Sequence, residues 1–157
     1  MTLIAEKTYT AEEFLDNPNR DGHELVDGHL RERAMSERSS LVAGKILRLL
    51  GNEADKAGDV SVYPNDLGYQ CFPDAAINVR FADVSLIRNS RKKEIRPDPG
   101  FMPIPADLVV EVLSPNDRIK EVADKVTEYL GAGFGVVWVV DPYLCHVHVY
   151  GADGSVR

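Results

Sequence analysis

The sequence predicts an α/β domain of the α+β kind, and three observations carry that prediction. Apolar residues recur at helical spacing through residues 39–57, short β-rich runs crowd residues 59–88, and residues 108–150 read as strand, helix and hairpin in succession. At 157 residues the chain suits one domain spanning residues 1–157. A make-up of 44% hydrophobic and 27% charged residues is that of a core-forming chain, not a disordered one.

Each element has its own signal. Thr10 with Glu13 makes a capping box for a short helix in TAEEFLDN, and HELVDGHLRERA reads as two short strands around the turn Asp27-Gly28. In the long helix the apolar stripe is Val42, Ile46, Leu49, Leu50 and Ala54. DVSVYP, LGYQCF, INVRF and DVSLIR follow as β segments. RKKEIRPDPGFMPIP holds four prolines in fifteen residues, which makes it a loop. Then LVVEVLSP is a strand, residues 115–131 a helix, and VVWVVD-PYL-CHVHVY a hairpin. Ser114 reads as the N-cap of that helix, Pro115 as its first residue and Asp117 as its capping-box acid. By the 100° step Ile119, Val122, Ala123, Val126, Tyr129 and Leu130 share one apolar face, with Arg118 and Lys125 on its flank.

Composition narrows the function classes. Cys71 and Cys145 are the only cysteines and show no CxxC or zinc-type spacing, while MTLIAEKTYTAEEF lacks the basic start and apolar core of a signal peptide. A cytoplasmic location is therefore expected. No apolar run approaches the roughly 18 residues of a membrane span. The net charge of −7 gives no global attraction to phosphates, so nucleic-acid binding would need a local basic patch.

Within LVVEVLSP, residues 108–115, one carboxylate stands in a run that otherwise wants burial. An isolated ionised carboxylate in a dry interior costs more than a domain's net stability of roughly 5–15 kcal/mol, so Glu111 must be neutral, paired, solvated in a cleft or bound to metal. A second acid, Asp83, opens the strand DVSLIR, and Lys125 can lean toward the end of the neighbouring strand. Two acids and a lysine suit a Mg²⁺-dependent phosphodiesterase. Hard cations bind carboxylate oxygens, water and phosphate, and an ammonium can position water or stabilise developing charge. The ordinary reading of the same residues is Asp83 as a strand-start cap, Glu111 paired to an arginine or lysine, and Glu121 with Lys125 as a surface i,i+4 pair.

HELVDGHL, LGYQCFPDAAINVRFADVSLI, LVVEVLSPNDR, the Lys125 and Tyr129 spacing, AGF, VVWVVDP and VHVY occur in this order along the chain. In these motifs the sequence resembles the Uma-two family of the PD-(D/E)XK restriction-endonuclease-like superfamily, formerly a domain of unknown function. The resemblance implies a central mixed β-sheet flanked by helices, with Asp83 as first metal ligand and Glu111 as second, assisted by the Val112 carbonyl. It places Leu113 where the superfamily's strand lysine usually stands and Lys125 on the following helix in its stead. It further implies outer-shell roles for Glu24 and Glu121, the latter standing where the family often has an aspartate. The literal pairs Pro73-Asp74 and Pro97-Asp98 fall in a turn and in the proline-rich loop, and a histidine common near the start of the long helix is replaced within SERSSL. The chain ends at GADGSVR, before the terminal strand and tail that similar sequences carry.

The implied function is a metal-dependent endonuclease hydrolysing DNA phosphodiester bonds, with Mg²⁺ as cofactor, Mn²⁺ as its substitute, and a homodimer expected because two symmetric sites cut two strands. The alternative is a catalytically silent nuclease-fold module that binds nucleic acid or a protein partner. Arg88, Arg91, Lys92 and Lys93, the strongest basic cluster, are candidate phosphate contacts if they lie beside Asp83, and a solvated loop otherwise. His146 and His148 alternate on one strand face without a third ligand, and Trp138 and Tyr129 read as core.

Overall fold

The computed structural model describes residues 7–94 and 100–157. Thr10 caps α1 (Ala11–Leu15): its hydroxyl accepts from the Glu13 N–H at 3.1 Å while the Glu13 carboxylate accepts from the Thr10 N–H at 2.8 Å. β1 (His23–Val26) and β2 (His29–Glu32) form an antiparallel hairpin. Its turn holds Asp27 at φ 51° and Gly28 at φ 80°, the paired left-handed residues that a two-residue turn demands. Ser36 caps α2 (Glu37–Ala57), which ends at Gly58 in the left-handed conformation.

A five-stranded sheet follows, built from β3 (Val60–Pro64), β6 (Val84–Arg88), β7 (Leu108–Val112), β8 (Val136–Asp141) and β9 (His146–Gly151), in that spatial order. β4 (Gly68–Tyr69) and β5 (Arg80–Phe81) pair separately. All neighbours in the large sheet are antiparallel except β7 and β8, which run parallel. A parallel pair cannot be closed by a tight turn, and α3 (Ile119–Gly131) is the crossover that closes this one. Gly135 permits the return: a Cβ there would lie 2.6 Å from the Asp107 carbonyl oxygen.

Strand alternation divides the core into layers. Val84, Val110, Val112 and Val140 face α2 and its Val42, Ile46 and Leu50. On the other face Val109, Val137 and Val139 pack with Val126 and Tyr129 of α3, and Tyr69, Phe72 and Phe134 fill the layer.

The structure corrects several sequence boundaries. α3 begins at Ile119, not at Pro115, because the Ser114 hydroxyl is drawn to Ser39 Oγ (3.1 Å) and to the Ala34 carbonyl, leaving it unavailable as a cap. Asp117 still reaches back to the Ser114 N–H at 2.6 Å, so half of the expected box survives as a turn. Ile119 is 90% exposed and Ala123 is exposed, so the buried stripe starts at Val122. Leu49 is likewise exposed, and Ala43 and Leu47 pack in the α2 layer beside Ile46. LGYQCF and INVRF pair over only two residues each. The basic run opens as a 3-10 helix (Asn89–Glu94), and the Pro97-Asp98 pair lies outside the described residues.

Candidate active site

β7 is the middle strand of the large sheet, and its period of two decides where its acid points. Val109 and Leu113 belong to the layer under α3, so Glu111 between them faces the same helix. Lys125 and Tyr129, one helical turn apart, both meet it. The Lys125 Nζ donates to Glu111 Oε2 at 2.9 Å, and the Tyr129 hydroxyl donates to Oε1 at 2.8 Å. Position 125 on the helix thus delivers the cation that Leu113, packed in the core, does not.

Lys125 also lies 2.9 Å from Glu24 Oε1, which brings the β1 hairpin into the site. That oxygen accepts the Phe81 N–H at 2.9 Å as well, while Glu24 Oε2 takes Arg80 Nη1 at 3.1 Å. Arg80 continues to Glu128 Oε2 through Nε (2.8 Å) and Nη2 (2.6 Å), and Asn78 donates to Glu128 Oε1 at 2.6 Å. The result is a line of alternating charge: Glu128, Arg80, Glu24, Lys125, Glu111. Asp83, just before β6, donates its N–H to the Val110 carbonyl at 3.0 Å, and its Oδ2 accepts the Val112 N–H at 2.7 Å. Glu24, Asp83, Glu111 and Lys125 line one cleft of about 500 Å³.

Burial sets the electrostatics. It pushes Glu111 up to about 7; Lys125 opposes that rise, and the Asp83 and Glu24 charges add to it. Burial also raises Asp83, against the Val112 N–H and the Lys125 charge. For Glu24 burial acts upward too, but Lys125, Arg80 and the Phe81 N–H outweigh it and hold the carboxyl below its ordinary value. Burial by itself lowers Lys125, yet Glu111 and Glu24 overcome this and raise it.

These residues fit a hard divalent cation. Glu24, Asp83, Glu111 and Glu128 set four carboxylates against the two cations Lys125 and Arg80, so two negative charges lack compensation within the network. Burial, with the Asp83 and Glu24 charges adding to it, pushes the Glu111 carboxyl up to about 7, and a bound cation would act against all three. Each carboxylate oxygen has capacity for a metal beside one hydrogen bond, and Asp83 and Glu111 are hard oxygen donors. Among the described residues no group of three or more His, Cys, Asp or Glu is arranged to hold a metal, so protein ligation would rest on these two acids and backbone.

The remaining residues singled out from the sequence are divided between the cleft and the rest of the molecule. Glu121 lines the cleft but is exposed and makes no pair with Lys125; the surface i,i+4 pair is Lys120–Asp124 at 2.6 Å. Val112 is buried at the acid pair. Arg88, Arg91, Lys92 and Lys93 lie at and beyond the far end of β6, about 17 Å or more from Asp83 along the strand, and do not line the cleft. Arg91 there pairs with Asp107 at 3.1 Å and Lys92 donates to Ser61 at 2.6 Å. His146 and His148 are exposed on β9, at the sheet edge, and Trp138 packs in the α2 layer. Tyr129 is core and site at once. Arg80, Glu128 and Asn78 were not found by sequence reasoning, although Arg80 in INVRF carries the signal that exposed Glu111: a charge set into an apolar β run.

A family model described as "Putative restriction endonuclease" matches residues 11–156. A solved structure described as a "putative nuclease belonging to DUF820", from Anabaena variabilis ATCC 29413, aligns with a TM-score of 0.78 at 21% identity, covering 94% of this chain and 82% of that one. That likeness shows a shared fold, and the expected mixed sheet flanked by helices is borne out. No curated protein matches the chain. Among the described residues no helix is long and apolar enough to cross a membrane.

Proposed function

This chain belongs to the Uma2 family, and from that membership and the charge network at Glu111 we propose that it is a divalent-metal-dependent nuclease hydrolysing phosphodiester bonds in DNA. The family's description supports a nuclease. The single observation carrying the finer reading is the Lys125 ammonium, 2.9 Å from both Glu24 and Glu111, in the cleft that Asp83 also lines.

Bound Mg²⁺, or Mn²⁺ in its place, would supply Lewis-acid polarisation and an acidified water. Asp83 and Glu111, with the Val112 carbonyl, would hold it. The chain's own side chains do the rest. Lys125 keeps its proton because two carboxylates flank it, so a full positive charge stands ready to orient the attacking water and to meet negative charge as it grows on the phosphate. Glu24 is a positioning residue: it fixes Lys125, and Arg80 fixes Glu24. Tyr129 holds the Glu111 carboxylate in one orientation. Glu121 stands at the cleft as an outer-shell acid.

Plasmid nicking with Mg²⁺ or Mn²⁺ tests the reading. Wild type should nick, and Asp83→Asn should lower the rate by at least about 10²-fold, the scale of losing one electrostatic element of a site. No metal-dependent cleavage of duplex, single-stranded DNA or RNA, with no Mn²⁺ binding at millimolar metal, would sink it. One observation favours a second reading, a silent nuclease-fold module that binds nucleic acid or protein: both Glu111 oxygens already hold partners within the chain. Mn²⁺ titration separates the two readings.

A further inference from the structure

The cations of the cleft are not equally committed. Lys125 and Arg80 are consumed by the acid network. Arg31 and Arg33 also line the cleft, and among the described residues neither has an ion-pair partner. Arg33 is the better defined. It follows β2, its N–H bonded to the Gly22 carbonyl at 2.8 Å. Its Cζ sits 4.8 Å from the centroid of the Phe81 ring, and its Nη1 donates to the Asn65 carbonyl at 2.9 Å. Stacking and one carbonyl bond fix the plane of the guanidinium but use only one nitrogen. Nε is shielded from solvent and has no acceptor among the described residues. A donor shielded from solvent cannot meet an incoming oxygen, so the nitrogen left to a phosphate is Nη2, which also has no acceptor among the described residues, and the ring contact holds it in a fixed direction.

A second feature gives direction. A smaller depression of about 390 Å³, lined by Arg20, Asp21, Gly22 and Asp66, shares Arg33 and Phe81 with the acid cleft, so the two adjoin at these residues.

We infer that Arg33 binds the phosphate next to the scissile one, and that the substrate strand leaves the acid pair over Phe81 toward Arg20. This rests on the proposed nuclease function and adds to it the residue that sets the strand's path. Arg33 contributes a backbone contact, so it acts on placement without reading bases.

Binding of a labelled 20-base-pair DNA duplex, followed by anisotropy with Ca²⁺ replacing Mg²⁺, tests it with a series of duplexes each carrying one neutral methylphosphonate linkage. For wild type, one linkage beside the cleavage position should weaken binding about fivefold or more. Arg33→Gln should be weaker on the unmodified duplex and indifferent to that linkage, and its salt slope should be shallower by about one, the change expected for one lost phosphate contact. A merely structural arginine would not erase sensitivity at a single linkage. Identical linkage profiles and salt slopes in wild type and Arg33→Gln would overturn the inference and leave the nuclease reading standing on its cleavage assay. Wild type that neither binds nor cleaves duplex or single strand would overturn both. If Arg33→Gln fails to melt cooperatively, Arg33→Lys takes its place: it keeps the charge but loses the planar group held against Phe81, so sensitivity at that linkage should fall, and an unchanged profile overturns the inference.

Discussion

Replacing Lys125 with methionine keeps a long apolar stem and deletes the charge. The Lys125 side chain is 18% exposed, and its Nζ stands 2.9 Å from one oxygen each of Glu24 and Glu111. Removing one partner of a buried pair costs about 3–5 kcal/mol, because the charge left behind has neither partner nor water. The two acids left behind differ. Glu24 keeps Arg80 and the Phe81 N–H, whereas among the described residues Glu111 keeps only the Tyr129 hydroxyl and escapes by taking a proton. Its carboxyl titrates at about 7 with Lys125 opposing the rise, so the variant moves it higher. A folded value above the ordinary 4.5 means that the folded protein binds the proton more tightly than the unfolded chain does. The associated stability is full below 4.5 and is lost as pH climbs to the folded value. In wild type that loss ends near 7, and in Lys125→Met it continues upward. The two proteins part only above pH 7, so the variant's deficit against wild type should be small near pH 6 and grow by up to about 1.4 kcal/mol per pH unit, to about 2 kcal/mol at pH 8.5. Urea unfolding followed by circular dichroism at both pH values measures it. Adding Glu111→Gln to the variant should remove the pH dependence. Equal deficits at the two pH values, or a deficit under about 1 kcal/mol at pH 8.5, would refute the idea that Lys125 compensates a buried acid.

Other outcomes follow from the same geometry. Asp83→Asn should abolish Mn²⁺ binding in calorimetry while the protein stays folded, and it should lower the Glu111 carboxyl by removing a like charge. In wild type, Mn²⁺ affinity should fall as pH drops from 8 to 6, since the proton that Glu111 binds near 7 competes with metal; calorimetry at the two pH values checks this. Tyr129→Phe should cost about 1 kcal/mol in urea unfolding, the worth of one hydrogen bond to a part-buried acceptor. Neutralising Arg88, Arg91, Lys92 and Lys93 together should weaken duplex binding less than Arg33→Gln does in the same anisotropy assay, because the four lie away from the cleft.

Glu111 and Asp83 were legible in the sequence because each breaks a local rule, an acid in or against a strand that is otherwise apolar. Lys125 was legible on the helix wheel once the strand–helix order was read. Arg80 and Glu128 were less so. Their partners lie 56 and 48 residues away from Arg80 along the chain, and no periodicity reports which distant charges will meet. The same reason explains the basic run: adjacent in sequence to the strand that Asp83 opens, it is carried to the strand's other end because an extended chain separates what numbering keeps together. The late start of α3 depended on Ser39 and Ala34, some 75 and 80 residues before Ser114, which local capping rules cannot see. The hairpin, α2 and β8–β9 needed no such long-range knowledge, since turn chemistry and periodicity specify them locally.

The lysine's place on α3 also changes which mutations can reach the chemistry. On a strand, an acid and a lysine two residues apart share one pleat, and their separation is fixed by backbone geometry that no side chain elsewhere can alter. Here the separation depends on how α3 is seated. The helix rises about 1.5 Å per residue, so a slide of one residue would part the ammonium from one of its two carboxylates. What holds that seat is the packing of Val122, Val126, Tyr129 and Leu130 beneath Phe72 and Phe134, together with the exposed turn at residues 115–118 that joins the helix to β7. Substitutions among those apolar residues therefore tune the acid–ammonium distance without touching either group. Variation selected for activity in this chain can accumulate in its hydrophobic layer as readily as in its cleft.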